Sequence, residues 1–160
     1  METIMKKVLF ICEGNICRSA TAEAYFNYRM AQLGLEDEYH AESRGLIFTT
    51  QGQDIHPEMA KLLDNDGITH APHSAKMANR KDFESVDYVL VMESLQKVLL
   101  KRNFFLRDMS KVSRLGDYLE PARDIDDPFG SGKFKECYPI VLEAVDNFIQ
   151  HITEESIGTM

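Results

Sequence analysis

At 160 residues and 18.3 kDa the chain has the size of one ordinary domain, and its 44% hydrophobic and 28% charged residues argue against a disordered segment. An excess of 26 acidic over 18 basic residues, for a formal charge of -8, argues against a general nucleic-acid binder that must neutralise many phosphates. No apolar run approaches a membrane span, so a cytoplasmic protein is expected, and the three cysteines Cys12, Cys17 and Cys137 fit a reducing compartment better than a disulfide scaffold.

In chain order, Lys7 to Cys12 is a short apolar run rich in β formers, suited to a central strand covered on both faces. From Ser19, apolar Ala22, Phe26, Met30 and Leu33 recur at helical spacing until Gly34 supplies a stop. A strand over Tyr39 to Ser43, a helix over Asp54 to Asp66 closed by Gly67, and a buried strand over Val86 to Met92 follow. Ser94 to Leu106 reads as helix and Lys111 to Tyr118 as a weak strand. Lys133 to about Thr153 reads as a long helix with Tyr138, Val141, Leu142, Val145, Phe148, Ile149 and Ile152 on its apolar side. No repeat or linker divides the chain, so residues 1–160 are expected to form a single domain, and the tail 154–160, which lacks an apolar pattern, is expected to be mobile. Alternating strands and helices predict an α/β fold: a parallel sheet with helices on both faces and ligands bound beyond the carboxyl ends of the strands.

The loop at the end of the first strand is Cys12-Glu13-Gly14-Asn15-Ile16-Cys17-Arg18-Ser19, a cysteine and an arginine separated by five residues ahead of a helix. Gly14 permits a tight turn and Asn15 a left-handed one, so the amides of residues 13–17 can face one point and cradle an oxyanion at a helix N-terminus. Arg18 adds a fork of donors. A helix N-terminus and a nearby cation favour the thiolate, so Cys12 is expected to be ionised at neutral pH and placed for in-line attack on a phosphomonoester. Ser19 is expected to cap the helix and to donate a hydrogen bond to the sulfur. The plainer readings are a packed strand-end cysteine and an ordinary N-cap serine. A zinc site at Cys12 and Cys17 would need two further ligands, and neither Cys137 nor the pair His70 and His73 has the matching spacing, so no metal is expected.

The segment VLFICEGNICRSATAE resembles the N-terminal signature of the low-molecular-weight protein tyrosine phosphatases, and the similarity extends over nearly the whole chain: Glu42 to Gly45, the helix start at Pro57, His73 with Lys76, the strand VDYVLVM and the Asp-Pro segment at Pro128. The resemblance implies a doubly wound sheet of four parallel strands with its phosphate-binding loop after the first. It also implies a two-step hydrolase with no metal or organic cofactor, acting on phosphotyrosine-containing proteins or peptides and releasing inorganic phosphate. It implies that Asn15 holds the loop through hydrogen bonds with Ser43 and His73.

A phosphatase needs an acid for the leaving oxygen. Asp124, Asp126 and Asp127 would raise one another's pKa if they lie close together. The resemblance selects Asp127, directly before Pro128, with Asp126 the runner-up; taken alone, the segment reads as a solvated acidic turn. Cys17 stands near enough to Cys12 in sequence for a protective disulfide, with packing as the rival role.

Departures from the family pattern are Ala20 where Pro is common, Glu13 where an apolar residue is frequent, and Glu93 where Asp is more usual. Phe129 is expected on one wall of the substrate cleft and Phe48 or Thr49 on the other, with Gly130 where some members carry a second aromatic. Sister arginine phosphatases share the loop and resemble the DPFG segment, but they carry Thr where this chain has Ile16, which favours phosphotyrosine. Arsenate reduction would need a relay of cysteines, and only Cys137, far along the chain, remains for it. A non-catalytic phosphate-binding module would be expected to lack the nucleophile or the acid.

Overall fold

The computed structural model describes residues 4–158. Strands β1 (Lys6–Cys12), β2 (Tyr39–Gly45), β3 (Tyr88–Val91) and β4 (Val112–Arg114) form one parallel sheet in the order β2-β1-β3-β4. Helices α1 (Arg18–Leu33), α2 (Pro57–Asn65), α3 (Arg80–Glu84), α4 (Ser94–Asn103), α5 (Pro128–Ser131) and α6 (Phe134–Gly158) complete it. The chain leaves β1 toward β2 on one side and returns to β3 on the other. The crevice beyond the carboxyl end of β1 is therefore the point where the strand order reverses, the usual ligand site of a doubly wound sheet.

The continuous apolar run of β1 is explained by its two covers. Val8, Phe10 and Cys12 face a core shared with α1, α2 and α6, while Leu9 and Ile11 face a second core with Phe83 of α3 and Leu100 of α4. In the larger core Phe10, Phe26 and Phe148 meet with ring centroids 5.9 to 6.4 Å apart, tying β1, α1 and α6 into one rigid base beneath the loop.

Element boundaries differ from the sequence reading where local polar groups decide. The second helix begins at Pro57 rather than Asp54, because His56 is its N-cap and accepts from the Glu58 amide while the Asp54 carboxylate binds the Ile55 amide. The weak strand stops at Arg114 and continues as a 3-10 turn over Leu115–Tyr118, with Asp117 accepting from both the backbone and the guanidinium of Arg114. Two short helices went unforeseen: α3, held by a reciprocal Asn79–Asp82 capping box, and α5 in the acidic turn, started by Asp127 and Pro128. The last helix runs past Thr153 to Gly158, so the expected mobile tail is helical in its backbone up to that residue, and residues 159–160 lie outside the described range. Among the described residues, no helix is long and apolar enough to cross a membrane.

Candidate active site

Residues 13–17 are bent without turn hydrogen bonds, and the loop's shape is set from outside. The Glu13 carbonyl accepts from the amides of Leu46 (2.8 Å) and Ile47 (3.2 Å), that of Gly14 from the Thr50 hydroxyl (2.6 Å), that of Asn15 from His73 Nε2 (2.6 Å) and that of Ile16 from the His56 amide (2.8 Å). The bond to the Asn15 carbonyl requires the proton of His73 to sit on Nε2. Across a trans peptide the N–H points opposite to the carbonyl, so each outward bond turns the next amide inward. The Asn15 amide accordingly points at Cys12 Sγ, 3.3 Å away.

Asn15 itself is left-handed at φ 59°, a conformation asparagine tolerates. Gly45, paired with Cys12 at the strand ends, has no room for a side chain: a Cβ there would lie 2.9 Å from the Glu13 carbonyl and 3.1 Å from Asn15 Cβ. The glycine lets the end of β2 support the loop directly.

Beneath the loop the polar groups are buried and paired. Asn15 Nδ2 donates to both Ser19 Oγ and Ser43 Oγ at 2.9 Å, and its Oδ1 accepts from the Lys76 amide at 3.0 Å. Ser19 Oγ lies 2.9 Å from Cys12 Sγ. Ser19 is not the helix cap that the sequence suggests: Cys17 occupies that position without a capping side chain. The serine sits two residues further in, beside the sulfur.

Arg18 is 1% exposed and committed at one end only. Its Nη1 donates to Glu93 Oε1 and to the Ile125 carbonyl, both at 2.7 Å, Nη2 stands 3.7 Å from Asp127 Oδ2, and Nε is buried with no hydrogen-bond partner. Burial pulls the Arg18 pKa down, but the charges of Cys12, Asp127 and Glu93 outweigh it and hold the group above its ordinary value. Glu93, a departure without an evident role in the sequence, is thus the anchor of the arginine.

A cleft of about 150 Å³ opens above the loop, lined by Cys12, Glu13, Gly14, Ile16, Cys17, Arg18, Ile47, Thr49, Thr50, Asp127 and Phe129. Phe129 and Thr49 stand where the sequence reading put them. Phe48 does not: it is 72% exposed and outside the lining, while Ile47 and Thr50, which the sequence reading passed over, form that wall. Edge-on contact between Phe129 and His56, which stacks in turn on Phe134 at 4.4 Å, fixes the opposite wall.

The three aspartates do not form the mutually repelling cluster expected of them. Asp124 is drawn away by Arg114 and by the amide and hydroxyl of Ser94, and the Arg114 hydrogen bond holds its carboxyl below the ordinary range. Asp126 is exposed and outside the cleft lining. Asp127 alone faces the cleft, with Oδ1 pinned by the Phe129 amide at 3.0 Å.

Cys17 and Cys137 are both buried, and burial pushes each thiol up to about 12, with Cys12 and Asp127 adding to the effect. Cys137, remote in sequence, is brought by α6 within electrostatic reach of Cys12, Arg18 and Asp127, so sequence distance is no guide to its position.

A family model described as low molecular weight phosphotyrosine protein phosphatase matches residues 7–157. The low molecular weight protein-tyrosine-phosphatase YfkJ of Bacillus subtilis is 31% identical over 153 residues, spanning 94% of this chain and 98% of its own length. The low molecular weight phosphotyrosine protein phosphatase of Schizosaccharomyces pombe is 33% identical over 151 residues, spanning 91% and 96%. The crystal structure of YfkJ matches with a TM-score of 0.92 at 30% identity over 97% of this chain and 99% of that one. That of a Drosophila arginine phosphatase matches with a TM-score of 0.81 at 28% identity over 91% and 97%. With both sequence and fold shared from end to end, the chain belongs to the low molecular weight phosphotyrosine protein phosphatase family.

Proposed function

We propose that the protein hydrolyses phosphotyrosine in proteins or peptides, in the cytoplasm, with Cys12 as nucleophile and Asp127 as general acid. The observation that carries this is the placement of Cys12 Sγ in the floor of a cleft with the Asn15 amide and Arg18 beside it, and with Asp127, alone of the three aspartates, on the wall.

Cys12 Sγ attacks phosphorus as the bond from phosphorus to the tyrosine oxygen breaks, and Asp127 gives its proton to that oxygen. Tyrosine leaves and a cysteinyl phosphate remains. In the second step water attacks phosphorus, the Asp127 carboxylate takes its proton, and the bond to sulfur breaks, releasing inorganic phosphate. The inward amides of residues 14–17 and the uncommitted edge of Arg18 hold the equatorial oxygens through both steps. Ser19 donates to the departing sulfur. No cofactor is required by this chemistry.

One of the structures that this fold matches is that of a Drosophila arginine phosphatase, which makes phosphoarginine the alternative substrate. In this chain Ile16, Ile47 and Phe129 supply apolar cleft walls that suit an aromatic ring, whereas a guanidinium edge facing Ile16 would be left without an acceptor. A cysteine relay is disfavoured because Cys137, held at about 12, stays protonated and donates to the Asp126 carbonyl. The deciding measurement is kcat/KM on matched phosphotyrosine and phosphoarginine peptides, with Cys12→Ser as blank. Faster turnover of the phosphotyrosine peptide is expected; faster turnover of the phosphoarginine peptide would keep the mechanism and overturn the substrate. Phosphate binding without turnover of either peptide would overturn catalysis itself.

A further inference from the structure

The Asn15 side chain is the hub of a hydrogen-bonded chain with the Cys12 sulfur at one end and the Glu23 carboxyl at the other. Its amide nitrogen has two hydrogens and spends them on two serines, Ser19 and Ser43, at 2.9 Å each. Each hydroxyl, having accepted from Asn15, has its own hydrogen to place. Ser19 has Cys12 Sγ at 2.9 Å, and Ser43 donates to Glu23 Oε1 at 3.0 Å. The orientation of the Asn15 amide is independently fixed by the Lys76 amide on Oδ1, so both serines accept from Asn15 and Ser43 donates to Glu23, while Ser19 donates to Cys12 whenever the sulfur is a thiolate, which can only accept.

Ser43 is buried and its hydrogen has no acceptor other than Glu23 among the hydrogen bonds it makes. If that acceptor were removed, the hydroxyl would have to turn toward the Asn15 amide and compete with the hydrogens that amide donates. The competition would loosen the Asn15 hub that fixes the Ser19 hydroxyl on the sulfur. We propose that Glu23 is a positioning residue for Cys12, acting through Ser43 and Asn15 to keep the Ser19 hydroxyl directed at the nucleophile.

Glu23 lies one helical turn beyond Ser19 on the same face of α1, which is why one helix can serve both ends of the chain. It is absent from the catalytic cleft and lines instead a separate cavity of about 220 Å³ with Asn27, Tyr28, His70 and His73, so its influence on the reaction runs through the protein and not through contact with substrate. Burial holds its carboxyl above the ordinary range, while the Ser43 bond and the charges of His73 and His40 oppose the shift and Glu42 adds to it.

The inference rests on Cys12 as nucleophile, and its test reads the sulfur directly. The rate of Cys12 alkylation by iodoacetamide as a function of pH from the acid to the neutral range, followed by mass, is measured in the wild type, Glu23→Ala, Ser43→Ala and the double variant. Glu23→Ala is expected to move the midpoint of the alkylation profile to higher pH, slowing alkylation about three- to tenfold on the acid side of that midpoint, and to lower kcat with KM within about twofold, the size of one lost hydrogen bond. Glu23→Gln, whose amide oxygen still accepts, restores most of the rate. In the Ser43→Ala background the Glu23→Ala change has no further effect, because its only route to the sulfur is gone. Equal slowing by Glu23→Ala in both backgrounds, or a wild-type alkylation profile in Glu23→Ala, overturns the proposal. A wrong substrate assignment shows differently, as failure to turn over phosphotyrosine with this alkylation pattern intact.

Discussion

Between Cys12 and Ser19 every residue except Glu13 and Gly14 is buried, and the loop's carbonyls are held by Leu46, Ile47, Thr50, His56 and His73. The rim above it is built otherwise: Phe48, Thr49 and Phe129 are exposed, and a ring contact with His56 and one backbone bond to Asp127 steady the aromatic wall. A phosphate is always the same size and charge, so its cradle is fully preorganised. The group that carries the phosphate varies, and the rim that meets it is correspondingly open. Substitutions in the floor are therefore expected to change whether chemistry occurs, and those in the rim to change which substrate reaches it.

The sharpest challenge to that division is Cys12→Ser, expected to lower kcat at least about 10⁴-fold while phosphate binding, measured by calorimetry, persists. Next comes Asp127→Asn, which leaves the floor intact and is expected to lower kcat about 10²- to 10³-fold for peptides, and far less for an ester whose leaving group needs no proton. Equal loss for both esters would remove Asp127 from the acid role. Glu93→Gln keeps an acceptor for Arg18 but removes the charge that helps hold it, and about a tenfold fall in kcat/KM is expected from steady-state assay. At the boundary between floor and rim, Ile16→Thr is expected to move the ratio of phosphoarginine to phosphotyrosine turnover upward by about tenfold, through a hydroxyl placed in the cleft wall. The smallest effect belongs to Phe48→Ala, within about twofold of wild type on small and peptide substrates, since the ring lies outside the cleft lining.

The thiols offer a separate check on the floor. Cys17 and Cys137, held at about 12, have a thiolate fraction at pH 7 on the order of 10⁻⁵, so brief iodoacetamide treatment is expected to label Cys12 alone, with the other two appearing only as the pH approaches 12. Labelling of Cys17 at neutral pH would show that its burial is not maintained in solution. Peroxide treatment followed by mass analysis then tests the bridge between Cys12 and Cys17, which are both free in this structure.

Much of the fold was legible in the sequence because apolar periodicity is local: the order of the four strands and four longer helices follows from runs such as Lys7–Cys12 and the stripe from Tyr138 to Ile152. The loop was legible for the same reason, since Cys12, Gly14, Asn15, Arg18 and Ser19 are contiguous and the chemistry of a phosphate cradle is written in their spacing. Short helices such as α3 and α5 were not, because their formation depends on single caps at Asn79 and Asp127 rather than on a repeating pattern.

Local pattern along the chain therefore sets the first strand, the loop and the helix that follows it. Tertiary structure alone decided the partners. Parallel pairing of β1 with β3 brings Glu93 to Arg18 across 75 positions, pairing with β2 sets Ser43 beside Asn15 across 28, and the loop before α3 supplies His73 and Lys76. It also chose among the aspartates, by giving Asp124 to Arg114 and turning Asp127 into the cleft, and it chose the wall, by taking Thr49 rather than Phe48 and adding Ile47 and Thr50. Hydrogen bonds and charge pairs act over about 3 Å in space and are indifferent to separation along the chain, so only the folded sheet could make them.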